Sequence, residues 1–432
     1  MTYFIPVIIN LIAAGIALHF LSSRIVTQVF ILFVVSYTVV FPAIEFILSP
    51  YPFYGSFSRH QLVIGTLFLV PLFAFIAQGC RIGSEWGARP VSGIILSHLL
   101  PVIFIAGGVL FVIETVVYGL FFARLGYENF LQTYEGTPTL LLLHYRISVE
   151  TSFFVILFLL SCIRFAPKDR NIVFYKVALL FYCIVFGSYF LVNSRMQFLL
   201  LVILLVASGY RGGGINFGRL LKVGSAVVFL AFTLTFLREF VIEKNYRLDA
   251  SSATALLTDT TLLIAARLNS VVMIDTAALW GYNIWVPNFE GLWFFVKLNT
   301  APIFDPNYYE LMKSIEITSP SVYVINTILA ANYVDFPKSM MVEVLLLFGA
   351  LGLPALAFIL AKVIVFVQRE LRSGDPSDIP FVLALYILPL VMQFEKEFTG
   401  FLTSIFKWSP VFILVIILRP RRSVSREGGE SI

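Results

Sequence analysis

The chain has 432 residues, of which 59% are hydrophobic and only 13% charged. A water-soluble domain is about 45–50% apolar and about 25% charged, so this composition excludes one. The formal net charge of +5 does not mark a nucleic-acid binder, because the basic residues are scattered through short loops between apolar runs and form no phosphate-binding face.

A hydrocarbon core about 30 Å thick takes about 20 apolar residues per helical crossing. The apolar runs are continuous rather than alternating, so they read as helices and not as barrel strands. In chain order they predict eleven spans, near 3–22, 25–48, 61–79, 93–120, 147–164, 173–193, 197–210, 220–237, 339–366, 380–395 and 401–418. This is an all-α polytopic fold in four parts. Residues 1–237 hold spans one to eight, 238–338 a large outer segment and 339–418 spans nine to eleven, and 419–432 form a basic tail. Met1–Tyr3 lacks a basic leader region, so the first run is expected to be a span rather than a cleaved signal peptide.

The tail Arg419-Pro-Arg-Arg-Ser-Val-Ser-Arg426 is expected to be cytoplasmic. Counting back alternately puts 17 of the 30 basic residues in inner segments, six in short outer segments and seven in the long outer segment. The inner groups are Arg24; Arg81 and Arg89; Arg164, Lys168, Arg170 and Lys176; Arg211, Arg219 and Lys222; Lys362, Arg369 and Arg372; and the tail arginines. The expected orientation is therefore an outer N-terminus and a cytoplasmic C-terminus, and one span more or fewer would break the agreement. Cys80, Cys162 and Cys183 fall in spans or inner loops and form no CxxC pair. Gly212-Gly-Gly214 is an inner turn, since no Lys-Ser/Thr follows to complete a phosphate loop.

The segment 238–338 is too long to be a structureless loop, and long loops tend to carry function. Helical patterning covers 250–280, with Ser251 or Ser252 as N-cap and Gly281-Tyr-Asn at its end. Leu292-Trp-Phe-Phe-Val is aromatic and is expected to lie at the membrane surface or to pack under the loop. A smaller outer loop runs over 121–146.

Candidate chemistry clusters at the outer ends of the spans. Arg195, in Asn193-Ser-Arg-Met-Gln197, punctuates two apolar runs. It is either a snorkelling interfacial side chain or an anion ligand whose guanidinium fork matches phosphate oxygens. Arg238 ends the next outward-going span, and Arg247 and Arg267 follow in the long segment, Arg267 inside an otherwise apolar helix. Arg195, Arg238 and Arg267, meeting from consecutive outer segments, would clamp a pyrophosphate. Arg247 by default lies on a solvated face. Glu343, in Met341-Val-Glu-Val-Leu-Leu-Leu-Phe-Gly-Ala-Leu-Gly352, is placed about one turn inside the ninth span. A carboxylate at that depth marks a site unless it pairs with Lys338 or a helix N-terminus. Glu45, Glu114, Glu150 and Glu395-Lys-Glu397 are weaker candidates of the same kind. His19, His60, His98 and His144 are dispersed, with no HExxH and no Asp-x-Asp pair, so no metal is expected. His144 and Arg146 stand at the outer mouth of a span.

This layout resembles the bacterial O-antigen polymerases, which join lipid-linked oligosaccharide repeat units. The likeness rests on the span count, the large outer loop two-thirds along, Asn-Ser-Arg at 193–195, Ala-Arg-Leu-Asn at 266–269, and Glu…Phe-Gly-Ala-Leu-Gly at 343–352 preceded by Ser319-Pro-Ser321. Some members carry Arg-x10-Gly in two outer loops; here thirteen residues separate Arg195 from Gly209 and Arg267 from Gly281, so only the arginines carry over. The resemblance implies a GT-C-like fold in the bacterial inner membrane, with undecaprenyl-pyrophosphate glycans as donor and acceptor. It also implies a metal-independent, cofactor-free transfer of the growing glycan to an acceptor hydroxyl at the periplasmic face. Arg195 and Arg267 would stabilise the departing pyrophosphate, and a carboxylate, either Glu343 or one of the acidic residues of the long segment such as Asp259 or Asp275, would take the hydroxyl proton. Arg238, Arg247, Arg146, His144 and Tyr323 would bind substrate, with Trp280, Trp285, Trp293 and tyrosines as sugar-stacking surfaces. A polysaccharide chain-length regulator is a possible partner.

Two alternatives compete. The related O-antigen ligases carry a histidine in the large outer loop, and 238–338 has none. A lipid-linked sugar flippase would have short loops on both sides and charges lining a midplane cavity, unlike the clustering at outer ends here.

Overall fold

The computed structural model describes residues 2–21, 24–48, 57–82, 172–180, 285–304, 339–373 and 379–392, with single positions 159, 163, 222, 225, 229, 233 and 283. Among these, every regular element is a helix and none is a strand. We number the helices that position the site α1 (Ile5–Phe20), α2 (Ile25–Leu48), α3 (Phe57–Arg81), α4 (Phe289–Phe304), α5 (Met340–Phe348), α6 (Gly352–Ser373) and α7 (Ile379–Met392).

Three of them are long and apolar enough to cross a membrane: α2, α3 and the Gly352–Leu371 part of α6. The chain is thus a membrane protein, and its packing has the matching polarity. Ile8, Ile12 and Ile16 of α1 are more than half exposed, while Asn10, Thr27, Gln28, Thr38, His60 and Gln61 are buried. In lipid the apolar face can stay outside, and polar side chains gain by meeting between helices.

Helix α6 is the central post. It packs most extensively on the C-terminal half of α3 and on α7, with further contacts to α2 and α5. Its fully buried stripe, Leu353, Leu356, Ala357, Leu360, Ala361, Ile364 and Val367, follows the i, i+3, i+4 spacing of one helical face. Gly79 lets α3 approach it, because a Cβ there would lie 3.0 Å from Val365 Cγ2. Helix α1 packs on the first half of α3 and on α2.

Both α2 and α3 contain one widened π turn, at Ser36–Val40 and Gly65–Leu69. Each ends two residues before a proline, Pro42 or Pro71. A proline inside a helix has no N–H and crowds the carbonyl four residues back, and such sites relax by kinks and π turns. The carbonyl four residues before Pro42 is that of Thr38, and the buried Gln61 Nε2 donates to it at 2.9 Å. Asn10 Nδ2 in turn donates to the Gln61 carbonyl at 3.0 Å. The Asn10 amide lies against Gly65, where a side chain would overlap it. One amide ladder thus ties α1, α3 and α2 together at the π turns.

The lower ends of the helices are also tied. Arg24 Nη2 donates to the Cys80 carbonyl at 2.6 Å, capping the C-terminus of α3 with a cation, as the helix dipole favours. Thr27 N–H donates to Gln368 Oε1 at 3.2 Å. Arg24, Arg81 and Arg369 therefore lie at one end of the bundle, and these are segments that the charge count groups on one side.

Two predicted spans differ in the structure. Helix α3 begins at Phe57 rather than near 61 and takes in Arg59 and His60. The stretch 339–366, read as one span, is two helices, α5 and α6, separated at Gly349–Leu351. Glu343 and Lys362 are its two charged residues, so hydropathy alone reads one span; the break is made by Gly349, whose φ of 66° and ψ of −167° lie in a region that is essentially glycine-only.

Candidate functional site

The described candidate site is α5. Its sequence, Met-Met-Val-Glu-Val-Leu-Leu-Leu-Phe, is rich in good helix formers. Ser339 starts it: at φ −149° and ψ 163° it is extended, and its Oγ accepts the Val342 N–H at 3.3 Å. The Glu343 N–H then donates to the Ser339 carbonyl at 3.1 Å, closing the first turn. At the other end the Gly349 N–H reaches the Leu345 carbonyl at 3.0 Å.

Nine residues rise only about 14 Å, so α5 is too short to cross a bilayer, yet every residue from Met340 to Leu347 is buried. The chain before α4 covers it. Asn288 N–H donates to the Leu347 carbonyl at 2.9 Å, and a Cβ on Gly349 would lie 2.8 Å from the Trp285 carbonyl oxygen. Phe295 of α4 meets Phe348 edge-on, ring centroids 6.3 Å apart. On the other side Gly352 permits contact with α6, since a Cβ there would lie 2.7 Å from Val344 Cγ1. Segment 285–304 thus forms a roof, α5 the layer beneath it and the N-terminus of α6 the wall.

Glu343 sits in that layer with 0% exposure, in the first turn of α5. It is not one turn inside a membrane-crossing helix, as the sequence suggested, because the crossing helix starts only at Gly352. The first helical turn favours a negative charge, and a buried carboxylate is stable only where charge or hydrogen bonds compensate its lost hydration.

Of the other candidate residues, Arg195, Arg267, Arg238, Arg247, Arg146, His144 and Tyr323 lie outside the described residues, as does the expected meeting of Arg195, Arg238 and Arg267. Glu45 lies in the last turn of α2 and is half-buried. No three His, Cys, Asp or Glu side chains gather as a metal-ligand set among the described residues. The Asn10–Gln61–Thr38 ladder was not anticipated from sequence. Its signal was available: Asn10 interrupts an apolar run, and Pro42 and Pro71 stand inside two others.

No family model, curated protein or solved structure matches this chain.

Proposed function

We propose that this protein polymerises undecaprenyl-pyrophosphate-linked oligosaccharide repeat units at the periplasmic face of a bacterial inner membrane, with a cytoplasmic C-terminus, about eleven spans and a GT-C-like arrangement. The observation that favours this reading is a fully buried carboxylate, Glu343, on a capped short helix at the foot of a span, roofed by part of the large loop. In this reading the base stands near the membrane boundary, where membrane-anchored pyrophosphate and a polar sugar meet.

In the proposed reaction Glu343 takes the proton of the acceptor hydroxyl. The hydroxyl oxygen forms a bond to the anomeric carbon of the growing chain. The bond from that carbon to the pyrophosphate oxygen breaks, and its electron pair leaves with undecaprenyl pyrophosphate. Arg195 and Arg267 stabilise the charge that develops on the leaving group. Arg238, Arg247, Arg146, His144 and Tyr323 hold substrate. No metal is required in this scheme, because guanidinium groups supply the positive charge.

The test is the glycan itself. Arg195→Ala and Arg267→Ala, each expressed in a strain deleted for the native gene, are expected to remain in the membrane and to leave surface glycan of one repeat unit. Long chains of normal distribution from either variant would remove that arginine from the mechanism. Purified protein that lengthens lipid-linked glycan in detergent, with no second compartment, separates polymerisation from transport.

A further inference from the structure

Helix α4 divides its circumference into three strips. Gly291 and Phe294 are buried and Leu292 and Phe295 half-buried, and these face α5. Phe289, Trp293 and Val296 are 76%, 61% and 47% exposed; their i, i+4, i+7 spacing puts them on one outward strip. Glu290 and Lys297 are exposed on the strip between these two. Such a helix has one face for the protein, one for an apolar phase and an edge for water.

The surroundings say which apolar phase. Just before α4, Trp285 and Val286 are also about half exposed, at 53% and 51%, and their backbone rests on Gly349 at the corner where α5 gives way to the spanning helix α6. Leu351 at that corner is 79% exposed, and Phe358 and Ile359 continue the exposed apolar surface down α6. Exposed apolar side chains therefore occur on the outward strip of α4, at the corner before it, and along a membrane-spanning helix that begins at Gly352. Tryptophans gather at the membrane–water boundary, and Lys297 Nζ lies 5.4 Å from the Trp293 ring centroid, the arrangement of a cation held at headgroup level above an aromatic ring.

We infer that α4 is an interfacial helix, lying in the bilayer leaflet at the Gly352 end of α6 with Phe289, Trp293 and Val296 in the acyl region and Lys297 among lipid phosphates. A helix of this type gains apolar burial plus attraction to anionic headgroups without crossing the membrane. It would tether the roof over Glu343 to the lipid surface, and it stands whether or not the catalytic reading does.

The test uses the full-length protein in nanodiscs of phosphatidylcholine with a minor fraction of phosphatidylglycerol. Emission of Trp293→Phe subtracted from wild type isolates the Trp293 signal. That signal is expected to be quenched several-fold more by lipids brominated high on the acyl chain than by aqueous iodide. Quenching by iodide alone would put the strip in water. Protection from both quenchers would mean that protein covers it, a second copy or another partner. Either result overturns the inference. Trp285→Phe gives the same subtraction at the corner, so the question remains answerable if Trp293→Phe fails to assemble.

Discussion

At the scale of single residues, the free energy is concentrated where side chains satisfy or forbid backbone geometry. Ser339 is fully buried and caps α5 with its hydroxyl. Ser339→Ala is expected to cost about 1 kcal/mol, typical of a lost N-cap, read as a lowered unfolding temperature of detergent-purified protein. Gly349→Ala is expected to cost more, because the replacement suffers both a disfavoured φ, itself about 1–3 kcal/mol, and collision with the Trp285 carbonyl. Glu343→Gln keeps the shape and removes the basic carboxylate. If the proposed reaction holds, it is expected to lower polymerisation by about a hundredfold or more, the usual worth of a positioned general base, with little loss of membrane-inserted protein. A Glu343→Gln variant that still makes long chains would leave Glu343 a structural residue.

At the scale of elements, prolines set the contacts between helices. Pro42 denies the Thr38 carbonyl its helical donor, and Gln61 replaces it from α3. Gln61→Leu strands the Thr38 carbonyl, an expected loss of about 1–3 kcal/mol for a buried group left unpaired, while the Asn10 amide keeps its bond to the backbone carbonyl of residue 61. Pro42→Ala returns an N–H to α2. The two substitutions together are expected to cost less than the sum of each alone, and a double-mutant cycle on unfolding free energies measures the difference. Strict additivity would show that the proline and the ladder are independent. The same logic explains why these elements were only partly legible in the sequence. Pro42 and Pro71 were visible as interruptions, but which side chain would reach the exposed carbonyl depends on which helix packs opposite.

For the whole molecule, the ties Arg24 to Cys80 and Thr27 to Gln368 gather the ends of α2, α3 and α6. Single cysteines at the exposed positions Arg81 and Arg369, in a background without the native cysteines, are expected to react with an impermeant maleimide from the same side of the membrane. Reaction from opposite sides would contradict the bundle's packing and the charge count together. The proposed N-outside orientation further requires that this side be the cytoplasm.

Composition alone determined that the chain lives in a membrane as helices, because apolar runs of that length have no other stable state, and local chemistry set helix ends such as Ser339. Tertiary structure decided that 339–366 is a short buried helix followed by a crossing one. A hydropathy profile averages over Gly349, whereas the close approach of Trp285 selects the one backbone conformation that only glycine tolerates. It also decided the setting of Glu343 and the three-way division of α4, since burial depends on neighbours that are distant in sequence. Which face of an aromatic helix meets protein and which meets lipid is fixed by what packs against it, not by its own residues.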